Sequence, residues 1–380
     1  MGIELLNFLK KKKKGQSSAG NGLKTLEPEK VPEYNAGVQE DGKVIRLVSN
    51  RKVKKPYRVS GIDDVASKNN WKGWLYLAPV IILVVIFLLY PLINTIFISF
   101  TRDYKYATGK YDGFTIENFG VILHLIQKGA GTENAAWESS FTDHALGNTF
   151  ILTFITVPVS IALALFISVL LNSIKAFQKI LQTVFFLPYV TNAIAIGMVF
   201  SVLFDDMGLI NFIFGLQKIV DPVNGTVHPM HWVNNAQTEV AMIPLCLFIV
   251  WNSIPFKILI LLSGLQGIDK QYYQAAQIDA APKWKTFTRI TVPLLSPQIL
   301  YLMITSFIGS FKEYSSIVAI FGKEGESLSG EKNMYTVVFY VYDNIVDNTS
   351  YAAAAAVFLF VIILVFTFFQ FWASNKRVHY

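Results

Sequence analysis

From Trp74 onward, long uncharged runs alternate with short polar segments. A helix needs roughly 20 mainly apolar residues to cross a bilayer. Six runs meet that length: Trp74–Thr101, Ala145–Ile174, Ile180–Phe204, Val240–Ile268, Ile290–Phe311 and Asn348–Asn375. The second and third are parted only by "KAFQK" (Lys175–Lys179). Two spans with a tight turn are expected there, because one helix of that combined length would far exceed a bilayer. Prolines 79, 91, 158 and 188 fall inside the runs. They would break soluble helices, whereas bundled membrane helices tolerate them. The expected fold is an all-α membrane protein of six transmembrane helices, residues 74–380, behind a polar tail, residues 1–73.

Charge gives this chain an orientation. Placing both termini inside puts 24 of the 33 Lys and Arg, but only 10 of the 26 acids, on the inner segments. The opposite arrangement reverses the positive-inside rule at nearly every short loop. The net charge of +7 is thus a topology signal, and no nucleic-acid partner is expected. With 53% hydrophobic and only 16% charged residues, the composition departs from that of soluble domains. The single cysteine, Cys246, lies in an apolar run, which excludes an intrachain disulfide and a cysteine metal site. The first apolar run starts too late in the chain, and without a small-residue cleavage site, to be a signal peptide.

The tail carries a basic Gly/Ser-rich stretch, "KKKKKGQSSAGNG", expected to be disordered. The preceding "MGIELLNFL" suits a short interfacial helix held on anionic lipid by Lys10–Lys14, with a floppy tail as the equal alternative. "GKVIRLVS" (Gly42–Ser49) reads as one strand.

Between the fourth and fifth runs lies "YYQAAQIDAAPKWKTFTRITVPLL" (Tyr272–Leu295). Tyr272, Ala275, Ala276 and Asp279 recur at helical spacing, giving a face with small residues at its centre. Pro282 must interrupt this helix or begin the next. Asp279 is expected to end the first helix and help cap the second. The pattern predicts a short cytoplasmic helix, a sharp bend and a second helix entering the fifth span, shaped as a docking knob. An ordinary interfacial loop fits the pattern equally well.

This stretch resembles the coupling loop of ABC importer permeases. In the carbohydrate-uptake group, of maltose and multiple-sugar type, that loop runs E-A-A-x-x-D-G-A-x-x-W-x-x-F-x-x-I-x-x-P-L-L. Ala275, Ala276, Asp279, Ala281, Trp284, Phe287, Ile290, Pro293, Leu294 and Leu295 stand at matching positions. Gln274 replaces the usual glutamate and removes the charge available for a salt bridge. Ala280 replaces the usual glycine, so a bend without positive φ is expected there. "FFLPYVTNAIAIGMVFSVLFDDMGLINFI" (Phe185–Ile213) is similar to the third-span signature of the same permeases, and the likeness extends over residues 74–380.

The resemblance implies an importer subunit in a bacterial plasma membrane. Its partners would be a second permease subunit, two copies of an ATPase and an extracytoplasmic solute-binding protein. The sequence has no G-x-x-x-x-G-K-[ST] phosphate loop, so ATP and Mg would be bound by the partner ATPase. No cofactor, metal or catalytic residue is expected in this chain. Gln274, Ala275, Ala276, Asp279, Ala280, Ala281, Trp284 and Phe287 would form the ATPase-docking knob.

The expected solute is a sugar, an oligosaccharide in particular. Sugars favour aromatic faces and neutral hydrogen-bonding groups. Tyr189, Asn192, Trp251, Asn252, Ser253, Glu313, Tyr314 and Ser315 are the candidates for its pathway, with polar helix-packing contacts as the alternative. Lys257, ionisable within a span, is the remaining candidate. A glycerol phosphate, a polyol or a polyamine is the competing solute. A secondary transporter would carry carboxylates in mid-span, and an intramembrane enzyme would carry H-E-x-x-H or G-x-S-x-G. Neither feature is found in the runs.

Overall fold

The computed structural model describes residues 70–127, 140–174, 178–220, 226–327 and 332–374. By its internal contacts the chain divides into Met1–Asn70 and Trp71–Tyr380. The tail, with its expected disorder, interfacial helix and strand, lies outside the described residues. The second unit holds the long apolar helices.

Four continuous helices are long and apolar enough to cross a membrane: Gly73–Ser99, Ser140–Ser173, Thr238–Gly267 and Thr349–Ser374. Each covers an apolar run seen in the sequence. The first comprises α1 (Asn70–Val84), a π-helical turn (Val85–Leu89) and α2 (Tyr90–Ser99). A second π segment, Ser140–Leu146, leads into the helix that starts at Gly147, and a third, Phe287–Thr291, follows Pro282. Two of these three π segments, Val85–Leu89 and Phe287–Thr291, end two residues before a proline, Pro91 and Pro293. A proline has no N–H for the carbonyl four residues back and its ring crowds that turn, so a widened turn is a natural accommodation. Short helices α3 (Glu117–Ile122), α7 (Leu209–Ile213), α11 (Val292–Leu294) and α14 (Val337–Asn344) lie between the longer elements.

Two expected spans differ from the sequence reading. Over Ile180–Phe204 the chain forms two helices, α5 (Gln178–Val190) and α6 (Ala193–Leu203), bent by 94° between Ile180–Val190 and Ala193–Leu203. The break is capped. The Thr191 hydroxyl donates to the Pro188 carbonyl at 2.7 Å, and the Asn192 side chain accepts from the Ile194 N–H at 2.9 Å. Asn192 therefore begins a new helix rather than continuing the old one. The fifth run is likewise bent by 65° between Lys283–Leu294 and Ser296–Phe311. Counting each bent pair as one span gives up to six.

The core forms where α4 (Gly147–Ser173) packs along α8 (Thr238–Gly267). Leu152, Ala164, Leu245 and Leu261 are fully buried there. Polar ties cross the same interface: Ser168 donates to its own-helix Ala164 carbonyl at 2.6 Å and approaches the Ile258 carbonyl at 3.3 Å. In membranes such small polar residues join helices where hydrophobic driving force is weak. α15 (Thr349–Ser374) packs against α2, and α12 (Ser296–Phe311) against α4. α6 crosses α13 (Ser315–Phe321) with Gly197 against Ala319.

Among its described residues the second unit is helical as expected, with only short β ribbons beside the helices. Ile219–Val220 pairs antiparallel with Val227–His228, and isolated bridges join Thr101 to Phe114 and Lys105 to Lys110. These ribbons lie in the polar connections, where alternation too short to read as strands is enough to pair.

Candidate functional site

Two places in the fold carry functional geometry, an elbow between α8 and α12 and a cavity among the long helices. The elbow begins at Asp269, whose carboxylate accepts the Gln271 N–H at 2.9 Å and caps α9 (Lys270–Ile278). Asp279 is the C-cap of α9. The next helix, α10 (Lys283–Thr286), takes Pro282 as its N-cap without a side-chain bond. Asp279 thus closes the first helix and does not cap the second, because two residues and the fixed proline φ separate it from that start.

Ala280 corrects a second expectation. Its φ is +47°, the left-handed region that L residues other than glycine enter at a cost. The Ala281 N–H donates to the Ala276 carbonyl at 2.9 Å, and the Ala280 N–H to the Gln277 carbonyl at 3.1 Å. This pair of bonds is the Schellman closure of a helix, which calls for a left-handed residue after the C-cap. The glycine of the coupling-loop pattern falls where the backbone requires it, and this chain fills the position with alanine.

The small-residue face divides in two. Ala276 is buried and packs inward, while Gln274, Ala275, Asp279 and Ala280 are exposed. Ala281 and Phe287 are half-buried. The outermost groups are apolar: Ile278 is 86% exposed and Trp284 73%. Trp284 rests against Phe287 with ring centres 5.7 Å apart. Sequence spacing missed Ile278 because it sits beside, not on, the small face. The return arm of the elbow is tied by Tyr273 Oη to Thr291 Oγ1 at 3.2 Å. At the 65° bend, Leu295 is fully buried. Gly264 of α8 admits it, since a Cβ there would stand 2.8 Å from Leu295 Cδ2.

The second place is a cavity of about 410 Å³. Its walls come from α4 (Thr156), the α5–α6 break (Tyr189, Thr191), α8 (Asn252, Ser253, Phe256, Lys257) and α12 with its exit (Thr305, Ser306, Ser310, Glu313). Five of the expected pathway residues converge here: Tyr189, Asn252, Ser253, Lys257 and Glu313. Asn192 is the cap of α6, and Trp251 packs its ring on Phe200 at 5.4 Å outside the cavity lining. Tyr314 stacks on Tyr342 at 4.4 Å, and Ser315 begins α13, both also outside that lining. The missed residues had a signal. Ser306 and Ser310 are four apart, as are Thr156 and Ser160 on α4 and Ser253 and Lys257 on α8, so each pair makes a polar stripe on one helical face.

Within the cavity, Tyr189 and Phe256 stack with centres 5.7 Å apart and planes 19° apart. The Thr156 and Ser310 hydroxyls lie 3.4 Å apart. Glu313 accepts the Ser316 N–H at 3.1 Å. Lys257 is 5% exposed and donates to Ser160 Oγ at 2.6 Å and Ser253 Oγ at 2.9 Å. The arrangement offers neutral donors and acceptors, a stacking surface and one buried cation. Among the described residues no group of His, Cys, Asp and Glu is placed to hold a metal.

A cap of buried polar bonds ties the ends of α4, α8 and α12 to the 313–337 segment. Asn148 Nδ2 donates to the Asn333 and Tyr335 carbonyls at 2.7 and 2.9 Å. Asn333 Nδ2 donates to Ser327 Oγ at 2.6 Å and Thr238 Oγ1 at 3.2 Å. Thr336 Oγ1 donates to the Glu313 carbonyl at 2.6 Å.

Residues 156–379 match the family described as "Binding-protein-dependent transport system inner membrane component". The lactose transport system permease protein LacF of Rhizobium radiobacter is 29% identical over 80% of this chain and 94% of its own. The arabinooligosaccharides permease AraP of Bacillus subtilis is 28% identical over 82% and 95%. A chain in the crystal structure of a bacterial alginate ABC transporter, in complex with an alginate pentasaccharide-bound periplasmic protein, superposes with a TM-score of 0.63. It is 20% identical, over 83% of this chain and 96% of that one.

Proposed function

We propose a role and a solute for this chain from one premise: it belongs to the family of inner membrane components of binding-protein-dependent transport systems, and is a multi-pass membrane permease. In this reading it is one of two permease subunits of an ATP-driven importer that brings an oligosaccharide across the bacterial plasma membrane. The four long helices and two bent pairs make six spans, with both termini and the elbow in the cytosol. The basic excess on those segments supports that orientation.

The observation that carries the reading is the elbow. A capped, Schellman-closed helix and the arm after it leave Ile278 and Trp284 exposed, and that arm runs into the 65° bend where Leu295 is buried. A polar surface loop gains nothing from exposing two large apolar side chains, whereas a docking surface does. A partner ATPase grips this knob and holds the ATP and Mg. When the ATPase dimer closes, force passes through the elbow into α12. The spans then change between inward-open and outward-open arrangements, a two-state shift with no covalent chemistry in this chain. An extracytoplasmic binding protein delivers the solute to the outer face. The stacked Tyr189–Phe256 pair and the hydroxyl and amide lining suit a sugar, and the names of the lactose and arabinooligosaccharide relatives support that class.

The test is uptake by the whole assembly in proteoliposomes. This chain, its companion permease, ATPase and binding protein are expected to take up an oligosaccharide only with ATP inside. ATP-independent uptake, or assembly without an ATPase, overturns the reading.

A further inference from the structure

Lys257 carries more than a place in the lining. Its two partner hydroxyls are already committed. Ser160 donates its proton to the Val157 carbonyl at 3.0 Å, and Ser253 to the Val250 carbonyl at 2.9 Å. Both oxygens therefore present lone pairs to Nζ, and the amine is the donor in both bonds. An ammonium has three protons to give. Two are taken, and among the described residues the third has no acceptor. No carboxylate lies within 4.0 Å of Nζ among those residues either, since the ion pairs found there are Arg102–Glu117, His124–Asp143, His231–Asp206 and Lys332–Asp343.

A cation inside a membrane bundle is costly unless it is paired or faces a wet cavity. Polar helix glue does not require it, because serine or glutamine at 257 would join α4 to α8 through neutral bonds. Lys257 instead stands at the wall of the cavity with one proton unused. Glu313, the acid in the same lining, is turned to the start of α13 by its bond from the Ser316 N–H.

We propose that the cavity binds an anionic, polyhydroxylated solute, with its carboxylate or phosphate on the Lys257 ammonium. This rests on the importer reading and narrows its solute. The anionic group completes the third hydrogen bond and neutralises the buried charge. Asn252, Thr305 and Ser306 take the solute's hydroxyls, and the Tyr189–Phe256 surface takes a ring face. Glu313, the acid in the same lining, repels the same group and so favours its placement at Lys257.

The experiment uses the complete transporter in proteoliposomes with three probes: a uronic-acid disaccharide, a hexose phosphate and a neutral disaccharide. Wild type is compared with Lys257→Gln, which keeps length and neutral hydrogen bonding, and Lys257→Arg, which keeps charge. Copurification of the ATPase confirms that each variant assembles. The expected result is ATP-driven uptake of at least one acidic probe, lowered tenfold or more by Lys257→Gln and largely kept by Lys257→Arg. Which acidic probe enters separates carboxylate from phosphate. ATP-driven uptake of the neutral probe alone, or equal uptake of an acidic probe by Lys257→Gln, overturns the proposal and leaves the importer reading standing. No ATP-driven uptake of any probe counts against both.

Discussion

The Ala281 N–H reaches the Ala276 carbonyl at 2.9 Å only because Ala280 between them turns to φ +47°. That bond closes α9 and sets the angle at which the chain doubles back. Glycine meets this backbone demand without a Cβ penalty, and alanine does not. Ala280→Gly is therefore expected to relieve about 1 kcal/mol of left-handed strain, partly offset by the greater freedom of glycine in the unfolded chain. Ala280→Val should destabilise the elbow, since a β-branched residue is still less tolerant of positive φ. Thermal denaturation of the detergent-solubilised assembly is the measurement, with Gly above wild type and Val below. Equal midpoints for all three would mean that position 280 does not hold a left-handed turn.

The exposed and buried sides of the elbow should answer differently to substitution. Ile278→Asp and Trp284→Ala change groups that touch little of their own chain. They are expected to leave the folding of this subunit within about 0.5 kcal/mol, while reducing ATPase copurification at least tenfold. Ala276→Leu, by contrast, forces bulk into a buried position and should lower the thermal midpoint at a typical overpacking cost of about 1–3 kcal/mol. If Ile278→Asp and Trp284→Ala leave copurification unchanged, the apolar tip is not the gripping surface.

The apolar runs announced the long helices because bilayer thickness imposes a length that few other structures need. What they hid were the breaks. Residues 180–204 read as one span because hydropathy averages across Thr191 and Asn192, yet a single Asn cap after Pro188 suffices to start a new helix at 94°. The same averaging hid the 65° bend at Leu295. The elbow was legible as a bend, since Pro282 punctuates it, but which face looks outward was not. Ala276 and Ala275 are neighbours of one residue type, and only tertiary packing decides that the first is buried. In the cavity, Tyr189, Asn252, Ser253, Lys257 and Glu313 stood out by residue type. Thr156, Ser306 and Ser310 did not, because Ser and Thr bond to their own helix so readily that each hydroxyl taken singly says little; only the four-residue spacing of Ser306 with Ser310 and of Thr156 with Ser160 marks a polar stripe.

Gly197 and Ala319 test the crossing that holds α6 after its break. A Cβ built on Gly197 would stand 2.3 Å from the Ala319 Cβ, a distance no pair of methyl groups sustains. Gly197→Ala must therefore push α6 from α13, at a cost of about 1–3 kcal/mol. Because α5 and α6 frame the cavity at Tyr189, Thr191 and Ala193, uptake should fall along with stability. The double variant Gly197→Ala with Ala319→Gly exchanges the methyl across the contact. It should recover most of the lost midpoint, and failure to do so would show that the close approach does not control this crossing.

Asn333 is a junction of the polar cap. It is fully buried, accepts the Ser327 N–H at 3.0 Å, and donates to Ser327 Oγ and Thr238 Oγ1. The Ser327 hydroxyl passes its own proton to the Ala236 carbonyl at 2.8 Å, so the network reaches the start of α8. Asn333→Ala leaves the Ser327 N–H buried without its acceptor, at a cost of about 1–3 kcal/mol. Asn333→Asp keeps the acceptor but loses both donor bonds and buries a charge, so it should be worse than alanine near neutral pH. Acidification protonates Asp and removes the charge, so its deficit should shrink as pH falls, while that of Asn333→Ala stays constant. Thermal midpoints of both variants across a pH series would show this divergence. Parallel curves would mean that position 333 is wet, and that the cap is not the dry polar plug its bonds describe.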